Sequence, residues 1–124
     1  MSEIRATTIS DAAGTGPITL TGQSAAKAWV NFNGTGTVAI RDSFNVASLN
    51  DNGIGDYTAN LTSSMLNADY SSPAVASDAS NVGVMGAPHA NTASGIRLWS
   101  ISRTDSIGFI EVGCATTTVA GDLA

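Results

Sequence analysis

Cysteine occurs once in this 124-residue chain, at Cys114. A lone thiol excludes an intrachain disulfide and a cysteine-based metal site, and a buried, unreactive thiol is its commonest state. Basic residues are almost as scarce. Arg5, Lys27, Arg41, Arg97 and Arg103 are scattered, against ten Asp and Glu, for a net charge of −5. Nucleic-acid binders carry a clustered basic face, so neither nucleic acid nor an anionic membrane surface is an expected partner. Charged residues total 12%, about half the usual share. No apolar run approaches the roughly 18 residues of a membrane span. The start, "MSEIRATTISDAAGTG", has no apolar core of the kind a signal peptide needs. The expectation is a soluble protein made in a cytoplasm.

Aromatic residues make up only 6% of the chain, yet hydrophobic residues make up 43%. The remainder is rich in Gly, Ser, Thr and Asn, which form helices poorly and favour turns. That composition predicts many short strands joined by tight turns. At this length one domain with one core is expected.

The first strand is predicted at Ile18–Thr21. Residues 1–25 are read as an N-terminal extension carrying it, and residues 26–124 as a β-sandwich module. Ala26–Asn33 places Ala28, Val30 and Phe32 on one face and Trp29 on the other. "NGTG" at 33–36 turns the chain into Thr37–Arg41, with Val38 and Ile40 together. Ser43–Leu49 is predicted to continue as one strand with Phe44 and Val46 paired. "NDNGIGD" at 50–56 is the strongest turn signal, and its Asn-Gly step fits a type I′ hairpin. Asp56–Thr62 alternates most cleanly, with Tyr57, Ala59 and Leu61 inward. "SMLNADY" reads as extended, and 71–94 as mostly loop with a short strand at Val82–Met85. Gly95–Arg103 carries Ile96 and Leu98 on one face and Trp99 and Ile101 on the other. Ile107–Val112 reads as a further strand, and Ala115–Val119 as the one that closes the sheet. The fold class expected is all-β: an antiparallel, jelly-roll-like β-sandwich without helix.

Strands with large apolar side chains on both faces need a second cover. Trp29, Trp99 and Ile101 are the residues on that second face. Another subunit is the expected cover; the 71–94 segment of the same chain is the alternative.

Candidates for chemistry are few. His89 in "GAPHANT" is the single histidine. A Ser-His-Asp site needs it beside a nucleophile and a carboxylate, and no Gly-x-Ser-x-Gly elbow is present. Surface or interface placement is expected. Asp51, Asn52 and Asp56 among glycines have a superficial likeness to a calcium loop, but the glycine falls too early and no glutamate closes it; a metal-free turn is expected. "DAAGTGPI" and "NGTGTV" lack the Gly-Lys-Ser/Thr ending of a phosphate loop. Asp42, Asp56, Asp69 and Asp105 sit mostly at turns or strand ends, where solvated carboxylates are ordinary. No catalytic residue, cofactor or metal is assigned.

The series "AKAWVNFNGTGTVAIRDSFNV", "NDNGIGDYTANL", "MLNADY" resembles a module of tail-fibre-type proteins of tailed bacteriophages, in order and spacing, over residues 26–70. Residues 95–112 resemble its final strands. The resemblance implies a β-rich, non-enzymatic virion structural protein that forms trimers, sits on the tail or head surface, and contacts other virion proteins or the host surface. Its alternatives are a capsid decoration protein that clamps shell subunits and a carbohydrate-binding or carbohydrate-active module that meets a host surface glycan.

Overall fold

A computed structural model describes residues 12–13, 25–78, 85–102 and 108–124. The strand expected at Ile18–Thr21, and the residues Val82–Val84, Arg103 and Ile107 of three others, lie outside the described residues. Within them are nine strands and no helix: β1 (Ala28–Asn33), β2 (Ala39–Phe44), β3 (Val46–Gly53), β4 (Asp56–Leu61), β5 (Ala74–Ser77), β6 (Met85–Pro88), β7 (Gly95–Ser102), β8 (Gly108–Phe109) and β9 (Cys114–Val119). They form two antiparallel sheets, β2-β1-β9-β5 and β3-β4-β7-β6, with β8 paired to β7. The fold is a β-sandwich.

The layers follow from alternation. In β1, β4, β7 and β9 every second residue is buried, because successive side chains of a strand point to opposite faces. Ala28, Val30, Phe32, Ala115 and Val119 of one sheet meet Tyr57, Ala59, Leu61, Ile96 and Leu98 of the other in a single core. Phe32 and Tyr57 join the sheets edge to face, with ring centroids 5.1 Å apart. The Tyr57 hydroxyl donates to the Gly34 carbonyl at 2.8 Å. Tyr70 caps the core's far end. Its hydroxyl lies 2.9 Å from the Thr92 carbonyl and 2.8 Å from that of Gly95, and burial pushes its pKa up to about 12.

One side of the sandwich is closed by backbone contact. A Cβ on Gly86 of β6 would stand 2.8 Å from the Val75 backbone of β5, so the edges of the two sheets touch there. On the opposite side, β2 and β3 are successive and form the exposed edge of both sheets.

Several expectations need correction. The single strand Ser43–Leu49 is two strands, because Asn45 takes φ 56° and turns the chain from one sheet into the other. Phe44 therefore faces solvent and does not share a face with Val46. The β3–β4 turn is centred on Ile54-Gly55, with Gly53 opposite Asp56. A type I′ turn at Asn52-Gly53 needs positive φ at both residues, and Asn52 does not have it. The strand expected at 107–112 is reduced to Gly108–Phe109. Val112, fully buried, instead turns into the core and accepts the Gly34 amide at 2.9 Å. β9 closes no edge; it lies inside its sheet, between β1 and β5.

Candidate interaction faces

The sandwich leaves two outer faces, and each carries aromatic side chains. On the β1 sheet, Trp29 stands directly opposite Phe44 of β2 and Thr118 of β9. Directly opposed residues of antiparallel strands share a face, so Trp29 and Phe44 lie side by side. Trp29 is half-buried and Phe44 is 54% exposed. The next row is Asp42, Asn31, Thr116 and Val75. Arg41 is the extra residue of a bulge opposite Asn31 and Phe32. Its guanidinium donates to the Phe32 carbonyl at 3.1 Å and also to the Gly113 carbonyl, pinning the edge strand.

On the other sheet, Arg97, Trp99 and Ile101 project outward from β7, since Ile96, Leu98, Ser100 and Ser102 point in. His89, just past β6, stacks on the Trp99 indole with centroids 3.5 Å apart and planes at 20°. The His89 amide is fixed by the Arg97 carbonyl at 2.8 Å. Phe109 of β8 meets the other side of the indole edge to face at 5.0 Å. Trp99 is thus held between two rings from its own chain. Part of the cover comes from the alternative, the 71–94 segment of the same chain, through His89. What remains open is an apolar recess of about 200 Å³ lined by Trp99, Ile101, Gly108 and Phe109. That is below the roughly 300–1,000 Å³ of a small-molecule site and fits a single large side chain.

Beside this aromatic half lies a polar half. Asp56 stands opposite Trp99, and Arg97 one step along. Arg97 holds both Asp56 carboxylate oxygens, Nε to Oδ1 at 2.9 Å and Nη2 to Oδ2 at 2.6 Å. Such a bidentate pair is strong and planar. The Arg97 hydrogen bonds pull the Asp56 pKa below its ordinary 3.8, against a smaller upward push from burial. The Trp99 Nε1–H leans toward the same carboxylate but is buried without a well-aligned acceptor. Asn52 Nδ2 donates to Asp56 Oδ1 at 3.2 Å and Thr58 Oγ1 at 2.8 Å. Asn60 Nδ2 donates to Ser48 Oγ at 3.0 Å and Asn50 Oδ1 at 3.2 Å. The residues with a likeness to a calcium loop are therefore tied to one another: a guanidinium occupies the Asp56 oxygens, and the Gly53 amide occupies Asp51 Oδ1 at 3.0 Å.

A carboxylate with a lowered folded pKa stabilises the protein above its unfolded pKa, and the contribution is lost as pH falls through the folded value. We therefore expect wild type to exceed Arg97→Met in urea-unfolding stability by a constant margin from about pH 7 to about pH 5, with the margin closing by about pH 2. A margin that persists at the acid end would mean the arginine acts through packing alone.

The three predicted contact residues do not form one patch. Trp99 and Ile101 are neighbours on one outer face, and Trp29 is on the opposite one. Sequence reasoning missed the Arg97–Asp56 clamp and the His89–Trp99 stack. Both depend on register between strands far apart in the chain, and no local pattern encodes that register. Phe109 lies in the segment read as the strand Ile107–Val112, and its large apolar side chain next to Ile110 is the signal that finds it. No family model, no curated protein and no solved structure matches this chain, so the reading of its role rests on its own residues.

Proposed function

We propose that the chain is a non-enzymatic structural module of a tailed-phage virion surface, of tail-fibre type, acting as a closed trimer and contacting neighbouring virion proteins. The phage assignment rests on the resemblance over residues 26–70. Those residues supply the scaffold: Phe32 and Tyr57 in the core, Gly34 under the tyrosine hydroxyl, Asn45 at the corner, Gly55 and Asp56 at the β4 hairpin, and Tyr70 as cap. The same stretch also supplies Trp29 and Phe44, which stand side by side on an outer face.

The observation that supports assembly is the pair of aromatic sites, Trp29 with Phe44 on one sheet and Trp99 with Phe109 on the other. Exposed apolar patches mark interfaces. A twofold dimer uses one patch twice and leaves the second wet. A heterologous contact uses one patch of each kind and closes into a ring when the rotation permits. The sites are also at different ends: Trp29 and Phe44 near the Asn45 corner, Phe109 beside the hairpin end, where Ile110 meets Gly55. The number three comes from the phage-fibre resemblance; a heterologous contact whose rotation does not close gives an open polymer instead.

Light scattering on the purified protein is expected to give three times the 12.5 kDa chain mass. Trp99→Glu and Phe44→Glu should each return a monomer, while Leu66→Glu, at an exposed position on neither pair, should still assemble. A monomeric wild type, or an open-ended polymer, overturns the trimer. Quantitative mass spectrometry of purified particles tests the location. Tens of copies fit a fibre, hundreds a head decoration, and absence from particles removes the virion reading.

A further inference from the structure

We propose that Asn52 is a site of spontaneous deamidation in the folded protein, a built-in ageing reaction on the outer face of the β4 sheet, and that Asn33 is protected from it. The sequence contains two Asn-Gly steps, Asn33-Gly34 and Asn52-Gly53. Asn-Gly is the step most open to this chemistry, because glycine puts no side chain in the way of its own amide nitrogen. The reaction needs only water. The Gly53 nitrogen loses its proton and bonds to Asn52 Cγ. The Cγ–Nδ2 bond breaks, and Nδ2 leaves as ammonia with the proton returned to it. Water then opens the succinimide at either carbonyl, giving aspartate or isoaspartate.

The fold treats the two steps differently. Gly34 is buried. Its amide donates to the Val112 carbonyl at 2.9 Å, and its carbonyl accepts the Tyr57 hydroxyl at 2.8 Å. Freeing that nitrogen means opening the core around Tyr57, which is 1% exposed. The Asn33 side chain is turned forward onto Thr35 by three hydrogen bonds. Attack there has to await global unfolding.

Gly53 is exposed, at φ 135° and with nothing within 4 Å of a Cβ position. Its amide donates to Asp51 Oδ1 at 3.0 Å, so a carboxylate, a base, is placed on the proton that must leave. Asn52 is also exposed, and it lies where the β3 register slips between Asp51 and Gly53. Two surface hydrogen bonds, to Asp56 and Thr58, hold its amide. Breaking them is a local opening, and local openings of exposed segments are far more frequent than global ones. The product has a consequence on this face. A carboxylate replaces the amide 3.2 Å from Asp56 Oδ1, so a hydrogen bond becomes a like-charge contact beside the Arg97 clamp.

The test incubates the intact protein at 37 °C and mildly alkaline pH, natively and in denaturant, followed by peptide mass mapping and isoaspartate methylation. In denaturant both asparagines should convert at similar rates. In the native protein Asn52 should convert at least roughly ten-fold faster than Asn33, a difference that a barrier gap of one opening step supplies. Asn52→Gln should abolish the native product, and its unfolding curve serves as the folding control. Native Asn52 as inert as Asn33, or native conversion first at Asn33, overturns the proposal.

Discussion

Gly55→Ala is expected to lower unfolding stability by about 3–5 kcal/mol, from strain plus overpacking, enough to leave a domain of this size barely folded. Two effects add at one residue. Gly55 sits at φ 67°, the left-handed region that costs an L-residue about 1–2 kcal/mol. Its missing Cβ also leaves no room: the atom would stand 2.7 Å from the Ser100 carbonyl oxygen and 2.8 Å from both the nitrogen and the oxygen of Ile110. All three are backbone atoms, so no side chain can swing away. The contact is structural, since Ser100 donates to the Gly55 carbonyl at 2.8 Å and Ile110 to the Ser100 carbonyl at 3.1 Å. This junction holds the β3–β4 hairpin, β7 and the chain after β8 together. Gly36 provides the internal control. It sits at φ 61° and has no atom within 4 Å of its Cβ position. Alanine there should cost only about 1–2 kcal/mol. Urea midpoints of the two variants check this. A Gly55→Ala loss no larger than that of Gly36→Ala would show that the Ser100–Ile110 approach relaxes freely.

The same residue shows how far the sequence is legible. Strand alternation was readable wherever one face is buried: Phe32, Tyr57, Ala59, Ile96 and Leu98 all point inward as period two requires. The "NDNGIGD" hairpin was readable as a turn, but its centre was not. Local preference favours Asn-Gly, whereas Ser100 and Ile110 demand a residue without a side chain at position 55, and that demand comes from strands some fifty residues away. Strand-to-sheet assignment was illegible for the same reason. Nothing near Trp29 or Trp99 in the chain says that β1 pairs with β9 while β7 pairs with β4. Two outward tryptophans were therefore legible, and their opposite placement was not. His89 was legible only as a lone histidine, because the stack on Trp99 requires the β6–β7 register.

Asn45 was invisible to strand patterning, since one polar residue between Phe44 and Val46 looks like ordinary alternation. Its substitution is expected to be among the most damaging on the surface. The backbone there turns through φ 56°, which asparagine tolerates better than other side chains. The side chain then ties three segments at once. Nδ2 donates to the Lys27 and Ser63 carbonyls, both at 3.0 Å, and Oδ1 accepts the Ser63 amide at 2.7 Å. The Asn45 carbonyl takes the Thr62 amide at 3.1 Å. The strand leaving one sheet is thereby fixed to the entry of β1 and the exit of β4. Asn45→Ala removes three hydrogen bonds at about 1 kcal/mol each and adds left-handed strain, for an expected loss of about 3–5 kcal/mol. Asn45→Gly keeps the backbone geometry and loses only the bonds, so it should recover about 1 kcal/mol relative to alanine. Asn45→Asp keeps the acceptor for the Ser63 amide but turns a carboxylate oxygen toward two carbonyls. It should therefore fall well below the wild type and improve as acid protonates it. Urea unfolding of the four proteins, with the aspartate variant repeated near pH 4, gives the order Asn, then Gly, then Ala. If alanine matches the wild type within about 1 kcal/mol, below the value of even a single lost cap, the corner is held by the strands on either side and Asn45 is a passenger in it.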